Sequence, residues 1–118
     1  MKSGAFYRGN ECLVATVWLA ANPWTRLRGL LGRAPLAAHA AEGLLIEPCA
    51  SVHTFWMGYP LDLVFLDRAN RVVDFVENLR PWSIRAARSK ARKTLELKAG
   101  GIAVIQPKIG EEFVWRVY

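Results

Sequence analysis

Residues 13–20 carry no charge, and Val14, Thr16 and Trp18 alternate with Leu13, Val17 and Leu19, which predicts a β-strand. Asn22 then offers a helix cap, with Pro23 in the first turn where a missing N–H costs nothing. Trp24, Leu27, Leu30 and Leu31 recur at helical spacing, Arg26 and Arg28 fall off that stripe, and Gly32 supplies a stop, so a helix is predicted over 23–31. Leu44, Leu45 and Ile46 form a short apolar strand that Pro48 ends. Residues 61–66 read as another strand, residues 67–70 (Asp-Arg-Ala-Asn) as a hairpin turn, and residues 71–79 as the returning partner. Further strands are predicted over 94–97 and 113–118. Residues 102–105 suit either a strand or one helical turn.

Many short strands and one early helix predict a mainly β chain. The expected architecture is a compact single-domain sandwich or barrel with one or two short helices. At 118 residues one core is expected, running over about residues 12–118 of a domain spanning 1–118. Hydrophobic residues make up 53% and charged residues 22%, a balance that favours folding over disorder. No apolar run reaches the roughly 20 residues of a membrane-spanning helix, and the first residues lack the apolar segment of a secretory signal. The expectation is a soluble, cytoplasmic protein.

The two cysteines, Cys12 and Cys49, are too few for a disulfide framework. No C-x2-C or H-x3-H pair is present, which argues against a closed structural zinc site. The net charge of +6 permits attraction to polyanions without requiring it.

Five segments occur in order: GLLGR at 29–33, EGLLIEPCASVHTFWM at 42–57, PLDLVFLD at 60–67, Pro81-Trp82, and TLELKAG at 94–100. With them the chain closely resembles the family known as domain of unknown function 192, from the Trp18 strand to the end. The resemblance implies a small β-rich fold with one or two short helices, and no reaction. Where the family often shows Gly-Asp near its end, this chain has Gly110-Glu111, which keeps an acid.

The window 43–67 gathers Cys49, His53, Met57, four aromatic residues and several acids between apolar runs, so candidate chemistry concentrates there. The leading expectation is a polar pocket for a small ligand or protein partner, built by Cys49, Ser51, His53, Thr54 and Asp62 and walled by Trp56 and Trp82. Asp62 is telling because Val64 and Leu66 share its face of the strand, and a carboxylate there needs hydrogen bonds. It would either tie down the 51–54 loop or orient His53. A second reading takes Cys49, His53 and Met57 as soft ligands for copper, and no other cofactor is expected. In an extended strand, side chains four residues apart lie about 13 Å from each other, so that reading requires a bend. A third reading is a cysteine-dependent enzyme with Cys49 as nucleophile, His53 as base and Asp62 as orienting group, although no reaction can be assigned. A fourth is weak binding of nucleic acid or another polyanion through Arg85, Arg88, Lys90, Arg92 and Lys93. No aromatic residue interleaves with that basic run, unlike most single-strand binders.

Overall fold

The computed structural model describes residues 1–22, 25 and 29–118. Its strands are β1 (Lys2–Arg8), β2 (Glu11–Ala20), β3 (Glu42–Ile46), β4 (Ser51–His53), β5 (Leu61–Leu66), β6 (Val72–Leu79), β7 (Ile84–Ala86), β8 (Lys93–Lys98) and β9 (Val114–Val117). One short helix, α1 (Gly101–Ile105), follows β8. The helix expected over 23–31 falls mainly outside the described residues. At its start the Thr25 N–H donates to Asn22 Oδ1 at 2.8 Å, the capping bond that the sequence suggests.

Seven strands form one sheet in the order β6-β5-β8-β3-β2-β1-β9, and β4 pairs with β7 in a separate two-stranded ribbon. Every pairing is antiparallel except β2 with β3. β3, β8 and β5 occupy the interior of the sheet, which explains their nearly unbroken apolar sequences: both of their faces are covered. One face carries Phe6, Val14, Val17, Leu45, Val64, Leu66, Leu95 and Leu97, closed by Ile102 and Ile105 of α1 and by Phe113. The other carries Leu44, Ile46, Leu61, Leu63 and Phe65, covered by Val52 of β4 and by Leu30 and Leu36. Each such side chain, fully buried, stabilises the fold by about 1.5–3 kcal/mol relative to exposure.

The sheet is not a closed barrel. Beside the outer strands an isolated bridge joins Arg71 with Glu112, with bonds from Val72 N–H to Glu111 O and Phe113 N–H to Asn70 O at 2.9 Å and from Gly110 N–H to Val72 O at 2.7 Å. The ribbon laid over one face gives a sandwich-like arrangement instead. The core also begins earlier than residue 12, because Ala5 and Phe6 of β1 are completely buried. Ser3, Gly4 and Arg8 conceal that strand in the sequence. Residues 102–105, ambiguous from pattern alone, belong to α1. The helix sits so close to β8 that a Cβ on Gly101 would lie 2.9 Å from the Leu97 side chain.

Asp62 is the anchor of that helix. Its Oδ2 accepts from the N–H groups of Gly100 at 3.1 Å and Ile102 at 2.9 Å, and its Oδ1 from Asn78 N–H at 2.7 Å. The carboxylate of a distant strand thus supplies the cap that Gly100, with no side chain, lacks.

Candidate functional site

After β3 the chain bends at Glu47 and Pro48, and Cys49 is held at the start of β8: its N–H donates to the O of Arg92, just before that strand, at 2.8 Å and its C=O accepts from the Thr94 hydroxyl at 3.0 Å. The ribbon strand β4 follows. Between the ribbon and the sheet lies a cavity of about 140 Å³. Ile46, Leu61 and Glu96 line it from the sheet; Cys49, Ser51, Val52, His53, Phe55 and Met57 line it from the ribbon side; Gly29, Leu30 and Leu31 complete it.

Three of the expected pocket residues, Cys49, Ser51 and His53, therefore line one cavity, and Met57 joins them. The Cys49 thiol donates to Ser51 O at 3.1 Å. The other four expected members lie elsewhere. Asp62 faces away: it pairs across the ladder with Leu97, on the α1 side of the sheet, while its neighbours Leu61 and Leu63 face the cavity side. It neither ties down the 51–54 loop nor orients His53, and the proposed cysteine–histidine–aspartate arrangement is not assembled.

Thr54 is completely buried and works as a pin rather than a wall. Its N–H donates to Ser83 O at 2.8 Å and its hydroxyl to Arg80 O at 2.6 Å, while the hydroxyl accepts from Ser83 N–H at 2.9 Å. Its carbonyl accepts from Trp82 N–H at 3.0 Å and Met57 N–H at 3.2 Å. The loops before β5 and before β7 are thereby locked together. Trp56 and Trp82 do not wall the cavity; they stand outside it, 71% and 58% exposed. Both have left-handed backbone, φ 69° and 62°, a conformation that costs a bulky residue about 1–3 kcal/mol and persists where neighbouring bonds impose it. The aromatic rings form a continuous ladder from the cavity outward: His53 to Phe55 at 5.1 Å, Phe55 to Trp82 at 5.8 Å and Trp82 to Trp56 at 4.6 Å between centroids.

Sequence reasoning passed over Glu96. It lies in β8 between Leu44 of β3 and Leu63 of β5, is only 4% exposed, and opens onto the cavity. Among the described residues no hydrogen bond or ion pair reaches its carboxyl. The other buried acids differ: Asp62 accepts three N–H bonds, and Asp74 is bound by Arg85, Arg88 and the Phe75 N–H. Burial alone pushes the Glu96 carboxyl up to about 8, so it is mostly protonated at neutral pH. For Asp74, burial acts in the same direction, but the Arg88 and Phe75 N–H bonds and the Arg85 and Arg88 charges outweigh it and hold the carboxyl below its ordinary range. In TLELK the glutamate looks like the outward residue of an alternating strand. The available signal was the company it keeps: a strand paired between EGLLI and LDLVFL has no solvent face.

The basic run is only partly free. Arg85 and Arg88 reach Asp74 at 3.2 and 3.4 Å. Lys93 is buried, donating to Asn70 Oδ1 at 2.7 Å with Glu47 3.9 Å away. Lys90 and Arg92 are exposed and line a surface cleft with Arg68 and Arg71. Among the described residues, no group of three or more His, Cys, Asp or Glu side chains is placed to hold a metal ion, and no helix is long and apolar enough to cross a membrane.

Comparison with known proteins now bears on this geometry. The family model described as "DUF192: Uncharacterized ACR" matches residues 6–115. Curated relatives include a UPF0127 protein of Pyrococcus horikoshii, 39% identical over 66 residues that make up 56% of this chain and 56% of that protein. Another UPF0127 protein, from Thermococcus sibiricus, is 35% identical over 68 residues, 58% of this chain and 44% of that protein. The chain spans about half the length of the curated relatives it matches. Two crystal structures share the fold. A proposed transcription regulator from Sinorhizobium meliloti superposes with a TM-score of 0.78 at 24% identity, over 97% of this chain and 92% of that one. A protein of unknown function from Novosphingobium aromaticivorans gives 0.74 at 21%, over 98% and 84%. With the family model spanning nearly all of its length, the chain belongs to the domain of unknown function 192 family.

Proposed function

We propose that the protein is a small-ligand-binding module whose site is the cavity between β8 and the β4–β7 ribbon, with Glu96 as its polar anchor. One observation carries this reading: a buried carboxyl that has no partner among the described residues opens onto a cavity of about 140 Å³. A cavity close to 150 Å³ admits a benzene-sized group. An unpaired buried polar group costs about 1–3 kcal/mol, a cost that a bound ligand offsets by supplying the missing hydrogen bond. Apolar walls around one or two converging polar groups are the usual make-up of small-molecule sites. The test is shift mapping of a small-fragment library by NMR on the intact chain. Binding fragments are expected to perturb Cys49, His53, Phe55, Met57 and Glu96 and to leave Cys12 and His39 unmoved. A library in which no fragment moves the cavity residues would refute the reading.

A second reading is copper(I) held by Cys49, His53 and Met57, favoured by their lining one cavity. The Cys49 thiol would have to give up its proton and its bond to Ser51 O. Copper loading with Cys49→Ala and His53→Ala controls tests it, and failure to retain stoichiometric copper would end it. A weak polyanion contact would rest on Lys90 and Arg92 with Arg68 and Arg71, and would fade steeply with salt in an oligonucleotide titration.

A further inference from the structure

We propose that the cavity takes a small organic cation, a protonated amine or amidine on an apolar body about the size of a phenyl ring, with its cationic head paired to Glu96. This rests on the cavity reading above and names the ligand class.

Three features point the same way. The only carboxyl lining the cavity is 4% exposed and has no partner among the described residues. Although the chain holds 16 lysines and arginines, none of them lines the cavity among the described residues. Two aromatic rings, His53 and Phe55, line the cavity, and Phe55 continues through ring contacts to Trp82 and Trp56 outside it. Aromatic faces attract cations and repel anions. An anionic head would meet the Glu96 carboxyl, and among the described residues no lysine or arginine lines the cavity to receive it. A neutral alcohol would satisfy part of the carboxyl and gain nothing electrostatic from the ladder.

The exchange balances simply. The ammonium enters with its charge, the Glu96 carboxyl loses its proton to solvent, and the carboxylate and ammonium remain as a pair. Because the empty site holds that proton at neutral pH, binding releases about one proton there. Affinity then rises with pH up to the value at which Glu96 ionises by itself, about 8, levels off, and falls again once the ammonium loses its own proton. Among the described residues the titratable groups on this side of the sheet are Cys49, His53, Tyr59, Lys98 and, further along β3, Glu42. Cys49 and His53 lie across the cavity, and Tyr59 is close enough for the Glu96 charge to act on its hydroxyl. β3 and β5 present Leu44 and Leu63. Lys98, two residues along β8, is turned onto the Tyr59 ring at 5.9 Å.

The experiment is calorimetric and NMR titration of the intact chain with benzylamine, benzyl alcohol and benzoate. Benzylamine is expected to perturb the cavity residues, to bind at least about tenfold more tightly than benzyl alcohol, and to strengthen by up to about tenfold per pH unit between pH 6 and 8. Calorimetry in buffers of different ionisation enthalpy should show proton release near pH 7. Glu96→Gln should remove both the preference and the pH dependence. Its folding is checked in the same spectra, and the wild-type pH slope stands without it. Equal binding of benzylamine and benzyl alcohol, or a preference for benzoate, would overturn the cation while leaving the cavity reading intact. If none of the three moves the cavity residues, both fall.

Discussion

Glu96 of β8 sits directly across the ladder from Leu44 of β3, so a carboxyl group occupies a place where the fold would otherwise put another core side chain. Its ionisation is raised from an ordinary 4.5 to about 8 by burial. Between those values the folded chain holds a proton that the unfolded chain has released. The stability this group allows is therefore fully present below 4.5 and is lost as pH rises to about 8, at up to about 1.4 kcal/mol per pH unit. Glu96→Gln is expected to flatten that decline in urea denaturation measured across the range. The same slope in both proteins would show that Glu96 does not titrate there.

Glu96→Leu goes further, because it removes the unpartnered polar group altogether. At neutral pH the variant is expected to be more stable than the parent by about 1–3 kcal/mol, while losing affinity for any ligand of the cavity. A destabilised variant would mean that the carboxyl has a bonding partner in the folded chain.

Asp62 has the opposite character. Its carboxylate accepts from three N–H groups, two of them at the start of α1. Asp62→Ala should cost about 2–4 kcal/mol in chemical denaturation, with loss of amide protection first at Gly100 and Ile102. Fragment binding in the cavity should persist wherever the variant remains folded, since Asp62 lies on the other face of the sheet. Loss of binding without loss of stability would contradict that placement.

Thr54 joins the two loops that present the exposed tryptophans. Thr54→Val keeps the shape and removes the hydroxyl, leaving the Ser83 N–H and the Arg80 carbonyl without it. The expected loss is about 1–3 kcal/mol, together with a change in tryptophan emission as the Trp56–Trp82 contact loosens. Unchanged emission and stability would show that the loops hold their positions without the pin.

The interior strands were legible in the sequence for a physical reason. β5 is a six-residue run with a single polar position, and the bounds predicted from pattern agree with those of the strand. That Asp62 shares a face with Val64 and Leu66 also followed from alternation. Its partners did not, because Gly100, Ile102 and Asn78 approach through long-range packing that no local pattern encodes. β4 and β7 are three residues each and exist through their pairing with one another, so neither has a periodicity to read. Glu96 was hidden by ordinary alternation. On an edge strand it would face water, and only its place between β3 and β5 makes it a buried acid. Cys49, His53 and Met57 stand four residues apart in the sequence, and the bend at Glu47–Pro48, the strand β4 and the turn at 55–56 carry all three along one cavity.

The most direct measurement is the titration of the Glu96 side-chain carboxyl carbon by NMR in the intact, ligand-free protein. A midpoint near 8 is expected, displaced downward when benzylamine is added. A midpoint near 4.5 would mean that the carboxyl is solvated or paired, and the proposed anchor of the cavity would be gone.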